Sequence, residues 1–98
     1  MRVYCFDLDG TICTQEKPEN YPKAIPNMSM IQKINKLYDE GNVIYIYTAR
    51  HMHNERLTKK WFKKHNIKYH HIFFGKPAAD LFVDDRSMTP DVFLKQND

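Results

Sequence analysis

The sequence begins with a short apolar run that leads directly into two aspartates spaced by one residue. Residues 3–6 read Val-Tyr-Cys-Phe, and Asp7, Asp9, Gly10 and Thr11 follow. An apolar run that ends in a turn signal predicts a buried strand. Because side chains alternate along a strand, the two carboxylates start out on the same side. Like charges this close repel, so the pattern predicts a cation or a reaction there, although a polar strand-to-loop exit is the simpler alternative.

Length and composition set the class of protein. The 98 residues, 42% hydrophobic and 28% charged, predict one globular domain over residues 1–98. The net charge of +3 is compatible with an anionic substrate and does not require nucleic acid. Cys5 and Cys13 lack the spacing of a metal site or disulfide framework, which favours reduced thiols and a cytoplasmic location. We find no apolar stretch of signal-peptide or membrane-span length, so no membrane partner is expected.

Hydrophobic periodicity predicts alternating strands and helices. Strands are expected at residues 2–7, 43–48, 68–74 and 81–83, and a short helix after Pro90. One helix should begin at a cap on Asn27 or Ser29 and end near Gly41; another should run from Asn54 to about His65. This alternation predicts right-handed crossovers and a three-layer α/β/α Rossmann-like fold, with a small parallel sheet covered by helices on both faces. The run at residues 43–48 is almost continuously β-branched or aromatic and includes Tyr45 and Tyr47, which is typical of a parallel strand covered on both faces.

Polar side chains follow three of the predicted strands, and Lys76 lies in a loop that can reach the same edge. The strand-end residues are Asp7, Asp9, Thr48, Asp84 and Asp85. In such sheets, ligands bind beyond the carboxyl ends of the strands. Carboxylate oxygens favour hard cations, and Mg²⁺ is usually held by one or two carboxylates, waters and a substrate phosphate. One carboxylate can then act as a nucleophile while another moves a proton.

These residues resemble the four motifs of the haloacid dehalogenase-like (HAD) phosphohydrolases. The stretch from Asp7 to Thr11 resembles the first motif, Thr48 the second, Lys76 the third, and Val83-Asp84-Asp85 the fourth. The motifs occur in the order of that family and span residues 3–85. The resemblance therefore implies a HAD-like fold and a Mg²⁺-dependent phosphomonoesterase that works through an aspartyl-phosphate intermediate.

The resemblance also implies a role for each matched residue. Asp7 would be the nucleophile, and Asp9 the general acid and base, because a protonated leaving oxygen of a phosphate ester needs a donor. Thr48 would hydrogen-bond the phosphoryl oxygens, and Lys76 would stabilise Asp7 and the transferring group. The implied metal ligands are Asp7, Asp9 (through its backbone carbonyl), Asp84 and Asp85, with the order of the last two left open. The implied phosphate-binding residues are Leu8, Gly10, Thr48, Ala49, Arg50 and Lys76.

The chain leaves little room for the cap domain that many HAD relatives carry. Residues 12–26, which we call the flap, could form only a small cover, and residues 74–80 leave no space for an insertion. The resemblance is therefore to capless members, in particular short phosphatase-like proteins found with capsule or surface-polysaccharide genes. A small phosphorylated metabolite such as a sugar phosphate is the expected substrate. Exclusion of water would fall to the flap or to a neighbouring subunit of a homo-oligomer.

Other residue clusters have simpler explanations. Four histidines, at positions 51, 53, 70 and 71, lack convincing ligand geometry for a transition metal and are expected in loops or strands. The lysines at positions 59, 60, 63 and 64 are expected to form a solvated helix face, and no nucleic-acid partner is predicted. Trp61 and Phe62 are expected in the core. Arg50 could reach a substrate or be a solvated loop arginine.

Two other functions use the same residue types. A receiver-like signalling module also combines an acidic pair, an aspartate, a threonine and a lysine around Mg²⁺. Receivers place the adjacent acidic pair on the first strand, whereas here Asp84 and Asp85 come last. A catalytically silent binding protein of this fold is the third candidate, and the intact Asp9 argues against it.

Overall fold

A computed structural model describes residues 1–96, leaving the last two residues of the predicted domain outside it, and contains a parallel three-stranded sheet in the order β1-β2-β3. The strands are β1 (Val3–Asp7), β2 (Val43–Thr48) and β3 (His71–Phe74). The helices are α1 (Met28–Asp39) between β1 and β2, α2 (Glu55–Lys64) between β2 and β3, and α3 (Pro90–Lys95). Short 3₁₀ helices lie at Pro18–Lys23 and Met52–Asn54. This arrangement confirms the predicted α/β class and parallel sheet.

Helix α1 forms where apolar residues recur at helical spacing. Its buried residues are Met30, Ile31, Ile34 and Leu37. Asn27, one of the two predicted caps, fills the N-cap position, where its side chain accepts a hydrogen bond of 3.2 Å from the Met30 backbone N–H. Gly41 follows the helix with φ of 92°, in the left-handed region that glycine adopts without strain.

Both connecting helices cover the same face of the sheet. Right-handed crossovers that advance from β1 to β2 to β3 must place α1 and α2 on one side. Burial along the strands accordingly alternates: on the covered face Phe6, Ile46 and Ile72 are buried, whereas on the other face Val3 is 57% and Phe73 46% exposed. The strands were predicted to be covered by helices on both faces. Within residues 1–96 that second helical layer is not found.

The predicted fourth strand does not form. Residues 81–83 have no regular structure, and Leu81 and Val83 are 77% and 90% exposed. Three residues can contribute few ladder hydrogen bonds, and Phe82 packs its ring 4.2 Å from the Nζ of Lys76 instead. The third strand begins at His71 and not at residue 68, because the backbone N–H of Lys68 donates to the Asn35 side chain.

The flap closes on itself and packs against α2. Thr14 and Ile25 face each other through two hydrogen bonds, one from each backbone N–H, so the two ends of the flap are joined. The indole N–H of Trp61 donates to the Ala24 carbonyl at 3.0 Å, and Trp61 and Phe62 are buried, as predicted.

Within residues 1–96, no helix is both long and apolar enough to cross a membrane.

Candidate active site

A cleft of about 290 Å³ lies beyond the carboxyl ends of the strands. Two aspartates, two cations and two aromatic rings supply the side chains of chemical interest in its lining: Asp7, Asp9, Arg50, Lys76, Tyr21 and Phe82. These side chains come from the carboxyl ends of the three strands, from the loops that follow them, and from the flap. The cleft is therefore where the sequence pattern predicts a site.

The loop after β1 turns sharply around a buried residue. The carbonyl of Leu8, which is fully buried, accepts hydrogen bonds from the backbone N–H groups of Thr11, Ile12 and Cys13. Gly10 has φ of 85° and donates its N–H to the Cys13 carbonyl, so a residue without a β-carbon suits this position. The turn buries Leu8 and leaves the carboxylates on either side of it lining one cleft.

Lys76 reaches Asp7 because the chain leaving β3 runs beside the end of β2. The backbone N–H of Lys76 donates to the Thr48 carbonyl at 2.9 Å, and that of Gly75 donates to the Arg50 carbonyl at 3.2 Å. The Lys76 Nζ then lies 3.7 Å from the Asp7 Oδ2 and 4.4 Å from the centre of the Tyr47 ring. The Asp7 and Lys76 side chains thus meet at the cleft, as the shared edge of the strands predicts.

The Asp7 carboxylate is partly shielded from solvent. Burial raises its pKa, and the charge of Lys76 and the hydrogen bond from the Leu8 backbone N–H oppose that rise without cancelling it. The Asp7 side chain is still 38% exposed. Its Oδ1 accepts from the Leu8 N–H at 3.0 Å, and its Oδ2 faces Lys76. A carboxylate that is oriented, charge-paired and open to a cleft can attack an electrophile.

Asp9 is held by Arg50 through both of its oxygens. The Nη2 of Arg50 lies 2.7 Å from Asp9 Oδ1, and its Nε lies 3.0 Å from Asp9 Oδ2. The Arg50 side chain is 1% exposed, so Arg50 is a buried residue of the site and not a solvated loop arginine. Its Nη1 donates to the Thr58 hydroxyl at 3.1 Å, and its guanidinium lies 3.8 Å from the centre of the Tyr21 ring.

The predicted phosphate-binding residues lie in three places. Ala49, Arg50 and Lys76 line the cleft, and the side chains of Leu8 and Thr48 are fully buried beneath it. The Thr48 hydroxyl accepts a hydrogen bond of 3.0 Å from the Arg50 backbone N–H, which shapes the loop after β2. Gly10 borders a separate shallow pocket beside Asn27.

Asp84 and Asp85 do not join the other carboxylates. Both are exposed, and neither lines the cleft. The Asp84 Oδ1 accepts from the Arg86 backbone N–H at 3.0 Å, and the Asp85 side chain is 85% exposed. Among residues 1–96, no group of three or more histidine, cysteine or acidic side chains is arranged to hold a metal. Of the predicted metal ligands, the Asp7 carboxylate lines the cleft, where Glu16 supplies a further carboxylate, whereas both side-chain oxygens of Asp9 are bonded by Arg50.

The sequence pattern missed three contributors to the site. Tyr21 packs on Arg50 from the flap, Thr58 bonds it from α2, and Phe82 packs on Lys76 from the irregular segment after β3. None of these three residues belongs to the motifs from which the site was predicted. Their roles depend on contacts between parts of the chain that are distant in sequence.

Comparison with known proteins gives a related sequence that is named after an activity. A protein of Halalkalibacterium halodurans named "Putative nucleotidase" is 36% identical in an alignment 82 residues long, and the match covers 74% of this chain and 42% of that protein. The chain therefore spans less than half the length of this relative. No protein-family model matches the sequence.

Two solved structures resemble the fold. A crystal structure of a Vibrio cholerae protein superposes with a TM-score of 0.85 and 27% sequence identity, and the match covers 99% of this chain and 90% of that one. A chain of the Pnkp1/Rnl/Hen1 complex superposes with a TM-score of 0.69 and 18% identity over 86% of this chain and 30% of that one. The second likeness concerns the fold alone. The HAD-like α/β fold predicted from the motifs is confirmed.

Proposed function

We propose that the chain is a phosphomonoesterase of the HAD type in which Asp7 is the nucleophile. The observation that carries this proposal is the Asp7–Lys76 pair: a half-buried carboxylate lies 3.7 Å from a lysine at an open cleft, with Asp9 also lining the cleft. The nucleotidase name of the Halalkalibacterium halodurans relative supports a hydrolase that acts on phosphate esters.

The proposed reaction has two steps. An Asp7 oxygen attacks the phosphorus, the ester P–O bond breaks, and the leaving oxygen takes a proton from Asp9. Water then attacks the phosphorus of the aspartyl-phosphate and gives its proton to Asp9, and inorganic phosphate leaves as the Asp7 carboxylate is restored. Lys76 offsets negative charge on the phosphoryl oxygens in both steps.

The proposal includes a Mg²⁺ ion, which the Asp7 carboxylate would bind. A partly exposed carboxylate at a cleft that admits a phosphate group fits an ion that needs only one or two protein carboxylates. When bound, the ion would neutralise charge on the substrate phosphate. Asp84 and Asp85 would contribute only if the segment that carries them moved from its exposed position toward Asp7.

The proposed substrate is a small phosphate ester. The cleft of about 290 Å³ is at the lower limit for a small-molecule site, which suits a sugar phosphate or a nucleoside monophosphate. The relative's name favours the nucleotide, and the capsule-associated resemblance favours the sugar phosphate. A capless site, a homo-oligomer, the absence of a nucleic-acid partner and a cytoplasmic location stay predictions. Sedimentation of the purified protein tests the oligomer.

The proposal is tested by phosphate release from an aryl phosphate with and without Mg²⁺. The wild type is expected to turn over, and Asp7→Asn is expected to lose about a thousandfold or more in kcat. Asp39→Asn makes the same substitution at an exposed carboxylate that is paired with Lys68, and it serves as the control. Undiminished turnover by Asp7→Asn would refute the proposed nucleophile.

The receiver-like alternative is favoured by one observation. Both oxygens of Asp9 are engaged by Arg50, so a proton can be exchanged only after one of these bonds opens. If the bonds did not open, phospho-Asp7 would form and persist, as in a signalling module. Incubation with acetyl phosphate and Mg²⁺, followed by the decay of phosphoprotein, separates the two functions: an enzyme shows release of phosphate with many turnovers.

A further inference from the structure

We propose that Arg50 is a positioning residue that acts through Asp9, and that it is not a substrate-binding residue. This inference rests on the proposed function, because it concerns the residue to which acid and base catalysis is assigned. It is carried by the bidentate contact between Arg50 and Asp9, at 2.7 and 3.0 Å, and by the burial of the Arg50 side chain.

Arg50 is itself fixed by several parts of the fold. Its guanidinium bonds Thr58 on α2 and lies against the Tyr21 ring of the flap. Its backbone N–H donates to Thr48 at the end of β2, and its carbonyl accepts from Gly75 after β3. A guanidinium that is planar and held on this many sides imposes its own orientation on the carboxylate it binds. Arg50 therefore sets where Asp9 points relative to Asp7, and in the proposed reaction one of its two bonds keeps that orientation while the other opens for proton exchange.

The same contacts leave Arg50 little capacity for a substrate. The Nε and Nη2 are directed to Asp9, and the Nη1 is directed to Thr58. One face of the guanidinium is covered by the Tyr21 ring. Lys76 is the cleft's other cation, and among residues 1–96 its Nζ has the 3.7 Å contact with Asp7 and two aromatic neighbours. The substrate phosphate is therefore expected to meet Lys76, while Arg50 serves the proton donor.

This division of roles predicts a specific kinetic effect. Misplacing a general acid slows the chemical step, whereas removing a phosphate ligand weakens substrate binding. Arg50→Lys keeps the positive charge but cannot make the two-pronged contact. We expect it to lower kcat by about tenfold or more, within the range that acid–base catalysis contributes, and to leave KM within about twofold. Arg56→Lys, at an exposed position on α2, is the matched control.

The leaving group provides a second measurement that a general loss of structure would not produce. An alkyl phosphate needs its leaving oxygen protonated, whereas a nitrophenyl phosphate departs readily without a proton. Arg50→Lys is expected to slow the alkyl phosphate by a larger factor than the nitrophenyl phosphate. In an Asp9→Asn background, adding Arg50→Lys is expected to change kcat by less than about threefold, because both changes act on one group.

Thr58→Val provides a variant that leaves Arg50 in place and removes only the hydroxyl that bonds its Nη1. We expect a smaller fall in kcat with the same preference for the alkyl substrate, and the same loss of effect in the Asp9→Asn background. This variant decides the question if Arg50→Lys does not fold.

Each outcome counts for or against the inference. A raised KM with unchanged kcat in Arg50→Lys would assign Arg50 to phosphate binding and overturn it, while the proposed function would stand. Equal factors for both substrates, or an undiminished effect in the Asp9→Asn background, would also overturn it. If the wild type released no phosphate from either substrate, the proposed function would fail first and the inference with it.

Discussion

Asp7 illustrates how one residue balances burial against charge. Its carboxylate is drawn out of water by the turn after β1, and Lys76 compensates the charge only partly, so its pKa is raised. A raised pKa means that the ionised form is held at a cost in folding free energy. The nucleophile is therefore less stable in its active charge state than the same group in water.

This cost predicts a pH-dependent stability difference between the wild type and Asp7→Asn. The folded protein binds the Asp7 proton more tightly than the unfolded chain, so the stability from this group is present below its ordinary pKa of 3.8 and is lost as pH rises through the higher folded value. Asp7→Asn is therefore expected to gain thermal stability relative to the wild type as pH rises from about 3 to about 8.

Thermal unfolding in the presence of a chelator measures this difference. Asp39→Asn, which removes a carboxylate paired with Lys68 on the surface, controls for the loss of one negative charge. A stability difference between Asp7→Asn and the wild type that stays constant, or that moves in favour of the wild type as pH rises, would show that the Lys76 pair outweighs the desolvation of Asp7.

The two cysteines should differ in reactivity. Burial, reinforced by the nearby Asp9 charge, raises the pKa of Cys13 to about 12, so almost no thiolate exists near neutral pH. Cys5 is exposed, although burial of its sulfur raises its pKa as well. A thiol reagent is expected to modify Cys5 slowly and Cys13 only after denaturation. Cys5→Ser should abolish the native-state reaction, and two thiols reacting in the native protein would contradict this account.

The sequence was informative about which residues meet and less so about how they pair. The motif pattern predicted Asp7 and Lys76 at one edge, because parallel strands end together. It could not predict that Arg50 binds Asp9, since these residues are 41 positions apart and their contact depends on the exact turn around Leu8. The contacts of Thr58 and Tyr21 with Arg50 could not be predicted for the same reason.

At the scale of elements, the cap of α1 also supports the active-site loop. The Asn27 side chain accepts from the Met30 backbone N–H and donates to the Thr11 carbonyl at 3.3 Å, so the helix start and the loop after β1 share one side chain. Asn27→Ala is expected to cost about 1 kcal/mol of stability, as typical N-cap losses do. Denaturant unfolding measures it, and Ser29→Ala, in the first turn without a capping role, is the control. Equal losses in both variants would remove the capping role.

The segment that carries the second acidic pair is the element on which the metal proposal depends. If Asp84 and Asp85 join Asp7 around Mg²⁺, residues 81–85 must leave their exposed, irregular arrangement. We expect their backbone amides to exchange rapidly in the free protein and more slowly with Mg²⁺ and a phosphate analogue. The double variant Asp84→Asn, Asp85→Asn should lose this protection. Unchanged exchange in the wild type would exclude the pair from the metal site.

The sequence predicted helices and strands correctly where its pattern was compatible with only one type of secondary structure. The helix period over residues 28–39 and the β-branched run of β2 predicted their elements well. The run at residues 81–83 is too short to specify a strand without a partner. Burial on both faces was inferred from aromatic residues such as Tyr45 and Tyr47, but these are half-buried and alternate with fully buried isoleucines. An aromatic side chain suits a covered or a partly exposed sheet face equally.

At the scale of the molecule, the candidate catalytic residues lie at one end of the sheet, and the hydrophobic core lies on one of its faces. The helices, the flap and the buried sheet face form a single apolar cluster, which fixes the strand exits relative to one another. The cleft is then built by three exits and the flap, and its cations each meet one of its aspartates: Lys76 meets Asp7, and Arg50 meets Asp9. This pairing is the basis of the proposed division between attack and proton transfer.

The covalent intermediate tests the central claim most directly. The wild type, mixed with a nitrophenyl phosphate and quenched in acid within one turnover, is expected to carry one phosphoryl group on the peptide that contains Asp7. Asp7→Asn should carry none, and Asp9→Asn should accumulate it, because water attack then lacks its base. Phosphate release by a wild type that never carries a phosphoryl group on Asp7, or phosphorylation that survives in Asp7→Asn, would contradict the account.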